Sequence, residues 1–229
     1  MKHFVVTAAL ALLAATGSAQ ADTNLLVNGS FEQAGPSFAA AGSYCYLGYA
    51  PLECGSLPGW SGKLPVIASS SGAWGVPSGL SGWDSAQGDI LIGLQNTSYA
   101  VQNVGLAAGI YALTWSDAGR SNYGSGTSYI VSFDGQDLGT YSTTLGQGWA
   151  THTLAFTAAG AGDLRFQGLS INADGTAFVD NVRLTAAVPE PASLVLILAG
   201  LVSIGLAARR TAGWAAVSST TAARPCPAA

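Results

Sequence analysis

Short segments in which apolar and polar side chains alternate run through the middle of this chain. In Ser128–Phe133, Tyr129, Val131 and Phe133 fall on one face, with Ser128 and Ser132 on the other. In Thr151–Thr157, His152, Leu154 and Phe156 oppose Thr151, Thr153 and Thr157. A period of two gives strands with one buried and one wet face, as in antiparallel sheets. The same texture predicts strands over Leu64–Ala68, Asp89–Leu94, Tyr99–Val104, Ile110–Asp117, Asp163–Gln167 and Ala177–Thr185. Asp134-Gly135, between two extended segments, predicts a hairpin turn. No fixed-period repeat or long amphipathic helix interrupts residues 22–187, so the expected fold is all-β, an antiparallel β-sandwich. Phe38–Trp60 and Ser69–Gly88 are rich in Gly, Ser, Pro and aromatics and predict long loops at one end of it.

The two ends of the chain follow a different pattern. Residues 1–21 carry Lys2, an apolar Phe4–Ala15 and the small-residue triplet Ala19-Gln20-Ala21, the layout of a secretory signal peptide removed by signal peptidase. Near the C-terminus, Ala192–Ala208 is a charge-free run of 17 residues. As a helix it would span about 25 Å, enough for a bilayer core. Pro189 and Pro191 keep the preceding chain out of helix, and Arg209 and Arg210 follow as cytoplasmic-side charges. From hydropathy alone this is an ordinary membrane anchor. Residues 211–229 form an Ala/Ser/Thr/Pro-rich tail expected to be disordered.

Charge narrows the range of partners. Residues 22–187 hold eleven acidic residues against four basic ones (Lys63, Arg120, Arg165 and Arg183), a net of −7. A surface of that sign repels phosphate backbones, so it does not suit nucleic acid or anionic lipid, and a neutral ligand or a cation is more compatible. Cys45 and Cys54 are the only cysteines of this region, with eight residues between them. In an exported protein that predicts a disulfide. His152 is its only histidine, which argues against a His-dependent triad or a multi-His zinc site. No spacing singles out a carboxylate pair for glycoside hydrolysis.

Two groups of residues suggest a site. By alternation, Asp180 falls on the same strand face as Phe178, Val182 and Leu184. A carboxylate there needs a partner to stay charged, either backbone amides, an arginine or a metal ion. The alternative is a strand end where Asp180 meets water. Among the aromatics, Trp60 and Trp115 sit in core-like patterns. Trp74 and Trp83, with Tyr123 in a Gly/Ser stretch, lie in predicted loops and are the candidates for stacking on a ligand.

Two family resemblances extend this picture. Val188-Pro189-Glu190-Pro191, the apolar run and Arg209-Arg210 resemble, in that order, the PEP-CTERM sorting signal of bacterial exosortase substrates. That implies export, a transient stay in the inner membrane of a Gram-negative-type bacterium, and processing of residues 188–210 by an exosortase-like enzyme. Release to the cell surface or extracellular matrix is the final step. The tail after Arg210 is longer than such signals carry. Separately, the Asn28-Gly29-Ser30-Phe31-Glu32 motif, Leu57-Pro58-Gly59-Trp60 and the closing Phe178-Val179-Asp180-Asn181-Val182-Arg183-Leu184 resemble galactose-binding-like jelly-roll domains, a group that includes carbohydrate-binding modules. This resemblance implies that Asn24–Glu32 forms a first strand lying beside the last one. It also implies a structural Ca2+ held by Glu32 and Asp180 with a backbone carbonyl near Gly29; Asn181 stands where many relatives have a second Asp. The function implied is a non-catalytic binding module for polysaccharide. A structural or adhesive matrix protein, or an extracellular glycan hydrolase, are the other readings open at this point.

Overall fold

The computed structural model describes residues 23–34, 38, 43–50, 52–77, 88–171 and 174–187. The expected signal peptide, the sorting segment, the tail and Trp83 lie outside them. Ten strands occur in order: β1 Tyr44–Leu47, β2 Ser61–Ala68, β3 Ile90–Gln95, β4 Tyr99–Val104, β5 Gly109–Gly119, β6 Thr127–Phe133, β7 Gln136–Thr143, β8 Ala150–Ala158, β9 Gly162–Gly168 and β10 Thr176–Ala186. All pairings are antiparallel. From β3 onward the chain crosses between two sheets at every connection except the β6–β7 hairpin. The first runs β3-β10-β5-β8 and the second β4-β9-β6-β7. Eight strands wound in that order are a jelly roll, with two Greek keys making one double sheet. The expected all-β sandwich is therefore present.

β2 joins the sheets. Its Ser61–Lys63 pair with β4, and from Leu64 onward it pairs with β1 and β3. Gly62 sits at the change of sheet with φ 148°, and a Cβ there would lie 2.0 Å from the Tyr99 carbonyl oxygen. Only a glycine lets the two strands approach so closely. The Asp134-Gly135 turn is also as expected: both residues have positive φ (48° and 76°), and Phe133 faces Gln136 across it. That is a two-residue turn whose twist matches the strands it joins.

Three expectations are corrected. The segment 38–60 is not wholly loop, because β1 lies within it; β7 was absent from the predicted strands. Asn24–Glu32 forms turns rather than a first strand. It still lies beside β10, held by two backbone bonds (Leu25 N to Leu184 O and Val182 N to Gly29 O) and by side-chain amides. Asn24 Oδ1 accepts from Leu26 N and Leu184 N, and its Nδ2 donates to Val182 O. Buried Gln102 closes a two-bond clamp on the backbone of Val27. Trp60 Nε1 donates to Asn28 O, and its ring packs on fully buried Phe31 at 5.2 Å. The Asn-Gly-Ser-Phe and Pro-Gly-Trp motifs thus latch the N-terminal segment over one end of the interior.

The interior between the sheets is filled by residues such as Leu64, Ile92, Leu113, Trp115, Val131 and Phe166, all essentially inaccessible. A second, smaller apolar cluster of Ile67, Leu91, Ala118 and Phe178 lies on the opposite face of the first sheet. Trp74 belongs to that cluster, with Tyr44 and Tyr46 packed against it.

Candidate functional site

Glu32, Asp180 and Gly29, the residues expected to hold a cation, lie beside the latch. Asp180 is 2 % exposed and faces Ser116 of β5. Its face differs from the expected one. A bulge occurs at Asn181, which has φ +50°, so the register shifts before Arg183. Asp180 therefore shares the outer face with Phe178, while Val182 and Leu184 return to the interior. Burial and the nearby Glu32 charge hold its carboxyl well above the usual carboxylate range, against the N–H of Asn181, which donates to Oδ1. Glu32 is itself raised, chiefly by burial, although Ile90 N donates to its Oε1 at 2.7 Å. The 88–90 backbone closes over it: a Cβ on Gly88 would lie 1.9 Å from Glu32 Cδ.

Two partly starved carboxylates, with the Glu32 charge opposing ionisation of Asp180, match a hard cation by charge and by ligand type. The Gly29 carbonyl fits less well, since it already accepts from Val182 N at 2.8 Å. Among the described residues no group of three or more acidic, His or Cys side chains gathers to hold a metal. Calcium there would complete its shell with further carbonyls and water.

The loop aromatics divide. Trp74 is 5 % exposed, packed by Tyr44 and Tyr46 at 5.9 and 6.5 Å, with the Arg120 guanidinium 4.9 Å above its ring. It sits in a turn as expected, but it secures loop to sheet and offers little surface to a ligand. Tyr123 is 59 % exposed, with Arg120 at 5.5 Å from its ring. Arg120 is fixed between them: its nitrogens donate to Asn122 Oδ1, Ala73 O and Asp174 O. Tyr123 is thus an open ring on a braced base. Trp83 lies outside the described residues. Cys45 and Cys54 are bonded and fully buried.

A third group escapes sequence reasoning. Asp117 is fully buried, aimed at the interior from β5. Tyr129 donates to its Oδ2 at 2.7 Å, and Trp115 Nε1 donates to Tyr129 Oη at 2.8 Å. Gln147 Nε2 donates to Oδ1 at 3.3 Å. His152 Nε2 lies 3.0 Å from the same oxygen, off the line a hydrogen bond needs, while its ring stacks on Trp115. Burial and the Asp117 charge push Tyr129 far above the usual phenol range, so it remains a donor. This network closes the sandwich between the edge strands β7 and β8. Its members come from four separate stretches of chain, and no local motif announces it.

Residues 187–210 match the PEP-CTERM protein-sorting motif. Val188, Pro189, Glu190, Pro191, Arg209 and Arg210 all fall within the match, directly after the domain's last strand. No curated protein matches the sequence. Solved structures with some likeness include a carbohydrate-binding module, CBM36, in complex with calcium and xylotriose (19 % identity, 45 % of this chain, 87 % of that one, TM-score 0.36). Another is a family 35 carbohydrate-binding module from Clostridium thermocellum (16 %, 53 %, 88 %, 0.37). A third is the CBM36-1 domain of a multidomain xylanase from the hindgut metagenome of Trinervitermes trinervoides (16 %, 43 %, 79 %, 0.36). These likenesses are low, and the jelly-roll assignment stands on the strand order of this chain.

Proposed function

We propose that this protein is exported, sorted to the cell surface and there acts as a non-catalytic glycan-binding module, steadied by a calcium ion at Glu32 and Asp180. The sorting motif supports the destination. In this scheme signal peptidase removes residues 1–21 and the apolar run holds the chain transiently in the inner membrane of a Gram-negative-type cell. An exosortase-like enzyme then acts on residues 188–210 and releases the domain to the surface or matrix. The domain closes its last strand at Ala186, so removing residues 188–229 breaks no strand pairing of β10.

The observation that carries the binding reading is the exposed Tyr123 ring held on Arg120. Flat aromatics stack on the C–H faces of sugars, and a braced ring loses little freedom on binding. The non-catalytic part is supported by the close acid–base pair Asp117 and His152: Asp117 is fully buried and His152 is stacked on Trp115. Affinity electrophoresis of the full-length protein, purified in mild detergent, against a panel of neutral polysaccharides tests the reading. Retardation by at least one polymer is expected, lost in Tyr123→Ala. No retardation by any polymer overturns it and leaves a purely structural matrix protein.

A further inference from the structure

The outer face of the second sheet collects residues that neither the latch nor the loop site uses. In β4 the core takes Ala100, Gln102 and Val104, and Tyr99, Val101 and Asn103 point outward. In β9 the outward set is Asp163, Arg165 and Gln167. The register lines Lys63 against Tyr99, Tyr99 against Gln167, and Gln167 against Ile130, one row across four strands. Facing residues of an antiparallel pair share a face and touch.

Charge is distributed unevenly over this face. The domain has only four cations, and two of them, Lys63 and Arg165, flank Tyr99 here. The Arg165 guanidinium lies 4.1 Å from the Tyr99 ring centroid, and its Nε donates to Gln167 Oε1 at 2.9 Å. Those contacts fix its orientation. Neither Lys63 nor Arg165 forms a salt bridge with any described residue, in a domain of net −7. Two acids share the face: Asp137 lies beyond Ser132 in the row of Arg165, and Asp163, two residues before Arg165 on β9, is already bonded to Asn103 Nδ2. Beyond Lys63 the face runs into a cleft of about 240 Å3 lined by Tyr49, Lys63, Gln95, Asn96, Ser98 and Tyr99. Burial and Tyr46 push the Tyr49 hydroxyl up to about 12, so it stays a neutral donor.

We propose that this face and its cleft bind an acidic polysaccharide, one whose sugars carry carboxylates. The proposal rests on the glycan-binding reading and adds a second, charge-selective surface to it. Aromatic, amide and hydroxyl groups meet the sugar body, and the planar Arg165 fork meets a carboxylate in two-pronged fashion. Lys63 adds a point charge at the cleft mouth. An acidic chain crossing an acidic protein is repelled nearly everywhere else, which sets its path.

The test titrates the full-length protein in mild detergent with polygalacturonate, a neutral glucan and a sulfated glucan at two ionic strengths. Polygalacturonate is expected to bind, tenfold or more weakly in Arg165→Gln and several-fold more weakly in Lys63→Gln, with unchanged melting curves. Arg183→Gln removes the same charge from the other sheet and should leave binding within twofold. Equal loss in all three variants, or equal binding of the sulfated polymer, shows mere charge attraction and overturns the proposal. Binding of neutral polymers through Tyr123 with no polygalacturonate binding also overturns it, while leaving the glycan-binding reading intact. Failure of every polymer overturns both.

Discussion

Asp117 and Asp180 are neighbours in the first sheet and equally cut off from water, at 0 % and 2 % exposure. They sit on adjoining strands, with Val179 facing Asp117 and Asp180 facing Ser116. Their side chains point to opposite faces, and their surroundings could hardly differ more. Asp117 receives a phenol and an amide, with an imidazole edge beside them. Asp180 receives the N–H of the next residue and the charge of Glu32. Burying a carboxylate is tolerated when neutral donors replace its water, and otherwise the group changes protonation or takes a cation. The first aspartate is thus a self-contained part of the core, and the second is short of donors.

The sharpest way to break that comparison is to remove the donors of the satisfied one. Tyr129→Phe leaves Asp117 Oδ2 and the Trp115 indole N–H without partners. The expected loss is about 3 kcal/mol, from one bond to a charged group and one orphaned donor. Urea denaturation measures it, and the loss should be the same with calcium or with EDTA. Recovery of the variant by calcium would mean that the ion acts at the wrong aspartate.

The second prediction concerns the unsatisfied aspartate. Calcium should raise the melting temperature of the wild type, corresponding to about 2.7 kcal/mol when the ion is at a hundred times its Kd. Asp180→Asn should abolish the shift and melt higher than wild type in EDTA, because the charge that burial penalises is gone. An unchanged wild-type melting curve on adding calcium removes the ion from the scheme.

The same pair predicts a smaller, pH-dependent effect without the ion. A carboxyl whose folded pKa is raised binds more protons folded than unfolded between its two pKa values, so stability falls as pH rises there. In EDTA, stability should therefore decline from about pH 4, the ordinary carboxylate value, upward toward the raised value, with Asp180 and Glu32 both contributing. Asp180→Asn should flatten the slope, and calcium should remove it. A profile in EDTA that rises over this interval contradicts the raised values.

The same two residues show how far these features were legible. Strands with one wet face declared themselves through alternation, as β6 and β8 did. β7 did not, because Gln136–Thr143 is an edge strand with only Thr143 fully buried, and its backbone pairing with β6 leaves little trace in the sequence. Asp180 stood out as a polar residue in an apolar period, but the period predicted the wrong face. The bulge at Asn181 inserts one residue and flips the side chains beyond it. Asn tolerates the left-handed conformation better than most residues, which is consistent with the bulge and insufficient to locate it. Asp117 gave no signal, since its donors arrive from β6 and from Gln147, brought together only by the Greek-key winding. Trp74 was placed in the right turn, and nothing in its neighbours revealed that Arg120, far along the chain, would cover it.

The smallest expected effect tests whether Asp117 depends on neutral donors or on a positive charge. His152 stacks on Trp115 at 5.1 Å and meets Tyr141 edge-on at the same distance. His152→Phe keeps both ring contacts and removes the Nε2 approach to Asp117. If Tyr129 and Gln147 satisfy the carboxylate, the variant should lie within about 0.5 kcal/mol of wild type in urea at neutral pH, since that approach lacks hydrogen-bond geometry. A loss of several kcal/mol, of the size seen when one partner of a buried ion pair is removed, would show that His152 supplies a charge. The two aspartates would then obey the same rule after all, one answered by an imidazolium and the other by calcium. The small loss keeps them distinct, Asp117 answered by neutral donors and Asp180 short of them.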